Sequence, residues 1–285
     1  FLNHVKKYIK LLNLMKMLQM PFFHLIHNKL KVSKINTLNE LYKVVHIKGT
    51  ISYFLEKGEE LDKVLQIFIR INSGGTKLSY SDLLLSIATA KWKEKDAREI
   101  IHQFVDDINQ IGDGFKFNKD LVLKSCLVLS DFSDVKFKVD NFTNENMSII
   151  EENWDKISSS VHKSIELVSK FGYNSDNLLA TNAIIPIAYF IHKNNFHDSI
   201  LHSSKNDEDR GLIKEWIARS LLKGTFGGQP DSLYPIYRNV INDNLGRFPL
   251  NPIIDRFKGK PKSIIFDEDD INNILELSYG KAKTY

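Results

Sequence analysis

Arg70, Asn72, Ser73, Gly74, Gly75 and Lys77 fall within one short stretch, "RINSGGTK", between two apolar patterns of helical period. A glycine pair lets backbone amides approach a ligand closely, and the helix that follows offers its positive end. Arg70 and Lys77 would add charge, so the chemistry such a corner suits best is the reception of a phosphate. The spacing is neither that of a Walker loop nor that of a dinucleotide fingerprint. Glycine is also the ordinary way to end one helix before the next, so a purely structural corner stands beside the ligand site.

Other stretches carry weaker chemical signals. "GTFGGQPDS", Gly224–Ser232, reads as a glycine-rich link between helices with Asp231 as a cap. The acids of "FDEDD" read as a helix start, where negative charge complements the macrodipole, in preference to a metal cluster. The nine histidines are scattered; His24 and His27 lie on an apolar, strand-like segment, and His192, His197 and His202 recur at a spacing that suits no single helix face. With one cysteine the chain has few ligands of the kind a zinc site uses, and no serine or cysteine sits in a nucleophile-elbow setting. No catalytic residue and no metal ligand is therefore assigned.

The elements that must hold the corner are helical. Leu61, Val64, Leu65, Phe68 and Ile71 form one stripe before it, and Ser79 with Asp82 resembles a capping box opening a helix to about Trp92. Further helices are expected over Ala97–Ile108, from a cap at Asn118 to Leu129, through the long stripe Met147–Val168 closed by Gly172, over Ala183–Lys193, Gly211–Lys223 and about Ser232–Ile241, and after a cap at Asp267. "VKFKVDNF" alternates and is a strand candidate, as is "QMPFFHLIH" after Pro21. The stretch holding Pro249, Pro252 and Pro261 reads as irregular, and the plausible boundary falls near residues 110–145.

Length and composition fit a globular protein: 285 residues, 42% hydrophobic and 26% charged, enough to bury a sizeable core. No apolar run reaches the roughly 20 residues of a membrane helix, which points to no membrane partner. Cys126 has no partner for a disulfide within the chain, so a cytoplasmic location is expected. Net charge is +4, unevenly spread: residues 1–50 carry nine lysines against Glu40, leaving the remainder mildly acidic. A basic front suits phosphate, or is simply a solvated surface. The start without methionine is expected to lie inside a longer protein.

"IFIRINSGGTKLSYSDLLLS" also resembles the F-x-R-[IV]-N-S-G-G-x-x-L-S-x-x-D-L signature of the ParB/sulfiredoxin-like domain of unknown function family 262, whose best-known members are the GmrSD type IV restriction endonucleases. The match runs through Phe68, Arg70, Asn72, Ser73, Gly74, Gly75, Leu78, Ser79, Asp82 and Leu83. Weaker likeness continues in "FNKDLVLKSCLVL", at Trp154, in "LLATNAIIPIAYFI", in "EWIARSLLKGTFGGQPDSL" and at Tyr279–Lys281. The family's D-G-Q-Q-R motif and the H-x-x-P element of its HNH nuclease are not in this sequence. The resemblance implies a mainly α fold: a multi-helical, bundle-like body over 116–285, preceded within 1–115 by the end of a small α/β domain that includes the Asn72–Gly75 corner.

The expected function is that of part of a DNA-targeting restriction or phage-defence protein, in which a nucleotide-dependent domain and a helical domain control a nuclease not in this chain. Arg70, Asn72, Ser73, Gly74, Gly75 and Lys77 would then meet nucleotide or DNA phosphate. The implied partners are modified or foreign DNA and the missing nuclease, as a domain or a separate chain; self-association is compatible with this reading. No cofactor is expected in these residues, with a nucleoside triphosphate and a divalent metal belonging to the full-length parent. The alternative is a non-catalytic interaction or scaffold module, since "LLNLMKMLQMPFFHLIH" would be awkward if exposed.

Overall fold

Side chains at spacings of three and four dictate helices, and the computed structural model of the chain is mainly helical, with no strand among the described residues. Those residues are 37, 40–44, 67, 80–196, 198–228 and 230–276. The chain divides into two units, residues 1–57 and 58–285. In the first, residues 40–44 are helical and Lys43 Nζ donates to Glu40 Oε1 at 2.9 Å. The rest of this account concerns the second.

Its helices are α1 (Tyr80–Lys91), α2 (Ala97–Asn109), α3 (Lys119–Leu129), α4 (Asn144–Lys170), α5 (Ile184–Asn194), α6 (Asp207–Leu222), α7 (Tyr234–Asn242), α8 (Leu250–Phe257) and α9 (Glu268–Leu275), with a single turn at Ser199–His202. Local chemistry explains where several begin. Asp96 accepts from the amides of Arg98 and Glu99, Asn118 from Leu121, and Thr143 from Asn146, each satisfying donors that a helix start leaves open. Asp267 and Asp270 form a reciprocal capping box at α9, so the "FDEDD" run does serve a helix start.

Two elements differ from the sequence reading. "VKFKVDNF" is not a strand: Val135 and Phe142 are buried in a loop that tightens into a 3-10 turn at Val139–Asn141. Its alternation reflects anchoring to a helical core, with no strand among the described residues to pair with. The stretch read as irregular contains α8, whose Pro249 lies at the N-cap and Pro252 in the first turn, positions where a missing amide costs nothing.

The core is organised around two helices buried on every side. Every residue of α3 from Leu121 to Leu129 is buried, as is every residue of α5 from Ile184 to His192. A helix apolar all round must be covered all round. The 27-residue α4 packs along α5 and also against α3; α7 covers α5, and α1 and α2 pack on each other and on α3 and α4. Helices on both sides of residue 115 thus share one apolar cluster. Trp216 at its centre is fully buried and meets Phe226, Tyr237 and Phe248 edge-on at centroid distances of 5.6 to 5.9 Å. Truncating such an anchor typically costs about 3–5 kcal/mol.

Candidate functional site

The corner residues Arg70, Asn72, Ser73, Gly74, Gly75 and Lys77 lie outside the described residues, as do all five residues of the stripe before them. The end of the same signature is described. Asp82 sits in the first turn of α1, and Lys119 Nζ, from the first residue of α3, lies 2.7 Å from its Oδ1. Leu84 and Leu85 behind it are buried in the core. The segment that follows the corner is therefore tied to the helical body by this ion pair, by Lys91 Nζ donating to Asn144 Oδ1 at 2.7 Å, and by an apolar face.

Within the body, a cleft of ≈ 170 Å³ opens between α4 and α5, lined by Asp155, Lys156, Ser159, Ser160, Lys163, Ile191, His192 and Asn195. Ser160 Oγ donates to the Lys156 carbonyl at 2.8 Å, which leaves the hydroxyl oxygen to accept. His192 Nδ1, 3.3 Å from that oxygen, is then the protonated ring nitrogen, and Nε2 carries a lone pair. The imidazole is 8% exposed. Its pKa is pushed down to about 4, by burial first and then by Lys156 and Lys193, so it is neutral across the physiological range. Lys163 Nζ bonds Ser159 Oγ at 3.0 Å and Asp198 at 2.9 Å, while Asp155 is engaged by Lys95 at 2.9 Å. Among the described residues no carboxylate pairs with Lys156. His192 was visible in the sequence only as one scattered histidine; only folding sets it beside Lys156 and Ser160.

A second polar cluster forms where α5 meets α7 and the end of α3. Tyr189 OH donates to Asp131 Oδ1 at 2.6 Å and receives Asn242 Nδ2 at 2.9 Å, Lys193 bonds Asp131 Oδ2, and Arg238 lies 3.8 Å from Asp131. Burial alone would raise the Asp131 carboxyl, but the bonds from Lys193 and Tyr189 outweigh it and hold the group below its usual range. One carboxylate, Asp131, serves two cations, Lys193 and Arg238, and the cluster pins the end of α3 to α5 and α7.

The remaining polar contacts are architectural. Lys124, in the apolar run "LVLKSCLVL", is 7% exposed; its amine reaches Val135 O at 2.6 Å and Asp231 Oδ1 at 2.8 Å and lies 4.2 Å from the Phe137 ring centroid. Asp231 is thus not a helix cap: α7 starts after Leu233 without a side-chain cap bond, and the Asp231 carboxylate instead neutralises a buried lysine. Glu151, 7% exposed, fills a nest of three successive amides, accepting at Oε1 from Lys93, Glu94 and Lys95 at 3.1, 2.8 and 2.8 Å. Among the described residues no group of three or more metal-ligating side chains forms, and no helix is long and apolar enough to cross a membrane.

No model of a known protein family matches the chain, and no curated protein matches it.

Proposed function

We propose that this chain is the helical body, with its attached phosphate-handling corner, of a DNA-targeting restriction or phage-defence protein of the GmrSD kind. The observation that carries this is the signature "FIRINSGGTKLSYSDL" together with the Asp82–Lys119 pair at 2.7 Å, which links the last charged residue of that signature to the next motif of the resemblance, "FNKDLVLKSCLVL". In this reading Arg70 and Lys77 contact phosphate, Asn72 and Ser73 hold the corner or the ligand, and Gly74 and Gly75 admit it to the backbone. A nucleoside triphosphate with a divalent metal, and DNA, are the ligands; the α1–α3 junction transmits occupancy of the corner to the body, which positions a nuclease outside these residues.

The test is titration of the chain with GTP and ATP in the presence of Mg²⁺, and with duplex DNA over a range of salt. Micromolar binding of one nucleotide, weakened at least about tenfold in an Arg70→Ala/Lys77→Ala variant that melts like the parent, supports the reading. Binding that the double variant leaves untouched, or none to either nucleotide or DNA, overturns it. A second reading, a module that docks a partner protein, is favoured by Ile271 and Leu275, 49% and 77% exposed one turn apart on α9. Stable capture of a nuclease-bearing partner by a chain that binds no nucleotide would select it.

A further inference from the structure

The α4–α5 cleft has no part in any role discussed above. Its lining is rich in hydrogen-bond donors. Lys156 on α4 is exposed and pairs with no carboxylate among the described residues; Lys163, two turns along the same helix, turns its amine to the Ser159 hydroxyl and to the exposed Asp198 carboxylate at 2.9 Å, so an anion would share it with Asp198. Because Ser159 Oγ accepts from Lys163, its own proton is left to be donated. Asn195 closes the far wall in a left-handed conformation at φ 51°. The one carboxylate of the lining, Asp155, is engaged by Lys95. A set of donors of this kind receives an anion.

One lining residue has an acceptor to offer instead. With Nδ1–H committed to Ser160, His192 presents Nε2 as an acceptor, so a fully ionised anion would face a lone pair while an anion that keeps one proton would find a partner. Hydrogen phosphate near neutral pH is an anion of that kind; sulfate is not, and a phosphate monoester, whose second pKa is about 6, is mostly fully ionised there. At ≈ 170 Å³ the cleft is smaller than the roughly 300 Å³ and upward of pockets that enclose a drug-sized ligand, so it takes the group and not a whole nucleotide.

We propose that the cleft between α4 and α5 is a binding site for a protonated phosphate group, its oxygens held by Lys156, Lys163 and Ser159 and its hydroxyl donated to His192 Nε2. The site is independent of the corner at Asn72–Gly75, so failure of either reading leaves the other standing.

The test follows the His192 ring resonance of the whole chain at pH 7 during titration with inorganic phosphate, with sulfate at matched ionic strength as control. A saturable shift with phosphate, at least about tenfold weaker with sulfate, is expected. Lys156→Gln, an exposed change that leaves the core alone, should weaken phosphate at least tenfold, and His192→Asn should abolish the preference over sulfate. Equal response to the two anions in the parent chain, or phosphate binding indifferent to Lys156→Gln, overturns the proposal, and the lysine variant keeps the test decisive should the histidine variant fail to fold. Phosphoserine, mostly fully ionised at pH 7, should bind more weakly than inorganic phosphate, which assigns the free ion as the ligand; tighter binding would overturn the role of the phosphate hydroxyl.

Discussion

Asp231→Ala removes the only carboxylate bonded to the buried Lys124 among the described residues and should destabilise the protein more than removal of the lysine itself. The Lys124 side chain is 8% exposed and that of Asp231 29%, so the two ends of the pair differ in access to water. Removing one partner of a fully buried pair costs about 3–5 kcal/mol, because the other charge is left without compensation. Here Val135 O at 2.6 Å and the Phe137 ring still face the ammonium, and water can enter where Asp231 stood, so about 2–3 kcal/mol is expected. Lys124→Met keeps the volume and strands only a carboxylate that water already reaches, together with one carbonyl, for about 1–2 kcal/mol. For a chain of this size the first change should lower Tm by roughly 4–10 °C.

The pH dependence supplies an independent sign. Burial lowers the proton affinity of Lys124 below its ordinary 10.5, with Asp231 pulling the other way. The unfolded chain then binds the proton more tightly, so this group makes stability rise as pH climbs through its folded value toward 10.5. Without Asp231 the depression deepens, and the deficit of Asp231→Ala should shrink between pH 7 and pH 9.5 as the stranded amine gives up its proton. Denaturant unfolding of both single variants and the double variant at the two pH values reads all of this. Equal costs for the two single changes, additive costs in the double, or a deficit that grows at alkaline pH would refute the argument.

Two further expectations concern backbone positions. Glu151→Ala should cost about 3 kcal/mol by leaving the Lys93, Glu94 and Lys95 amides unpaired, and Glu151→Gln clearly less because the amide oxygen still accepts; hydrogen exchange at those three amides, fast in the alanine variant alone, would confirm the cause. Gly112 sits at φ +58°, and a methyl group there would collide with Ser169 Oγ and come within 3.2 Å of Ser169 Cβ. Gly112→Ala should therefore cost about 1–2 kcal/mol, and Gly112→Ala with Ser169→Ala should recover the steric part but not the backbone part, as measured by thermal unfolding.

Much of the helical order was legible because its causes are local. Asn118, Asp267 and Gly172 mark starts and ends through hydrogen bonds and backbone freedom within a few residues of themselves, and the stripe from Met147 to Val168 declares its buried face by period alone. Where sequence reading failed, a longer-range contact had decided the matter. "VKFKVDNF" alternates like a strand but is held by Lys124 and the core, and Asp231 turns away from α7 to meet a lysine 107 positions earlier; α8 is the local exception, its prolines falling at the cap and in the first turn. The candidate cleft divides in the same way. A lone histidine and a lysine on a helix stripe carry no signal that they will meet, since the sequence separates His192 from Ser160 by 32 positions. The amino-acid sequence by itself determined that the described body is helical and which faces are apolar, because burial of apolar area and capping act over one or two turns. Only the tertiary structure decided that Lys156, Ser160 and His192 share a cleft and that Lys124 and Asp231 neutralise each other, because those choices depend on which helices pack together and on the cost of burying a charge alone.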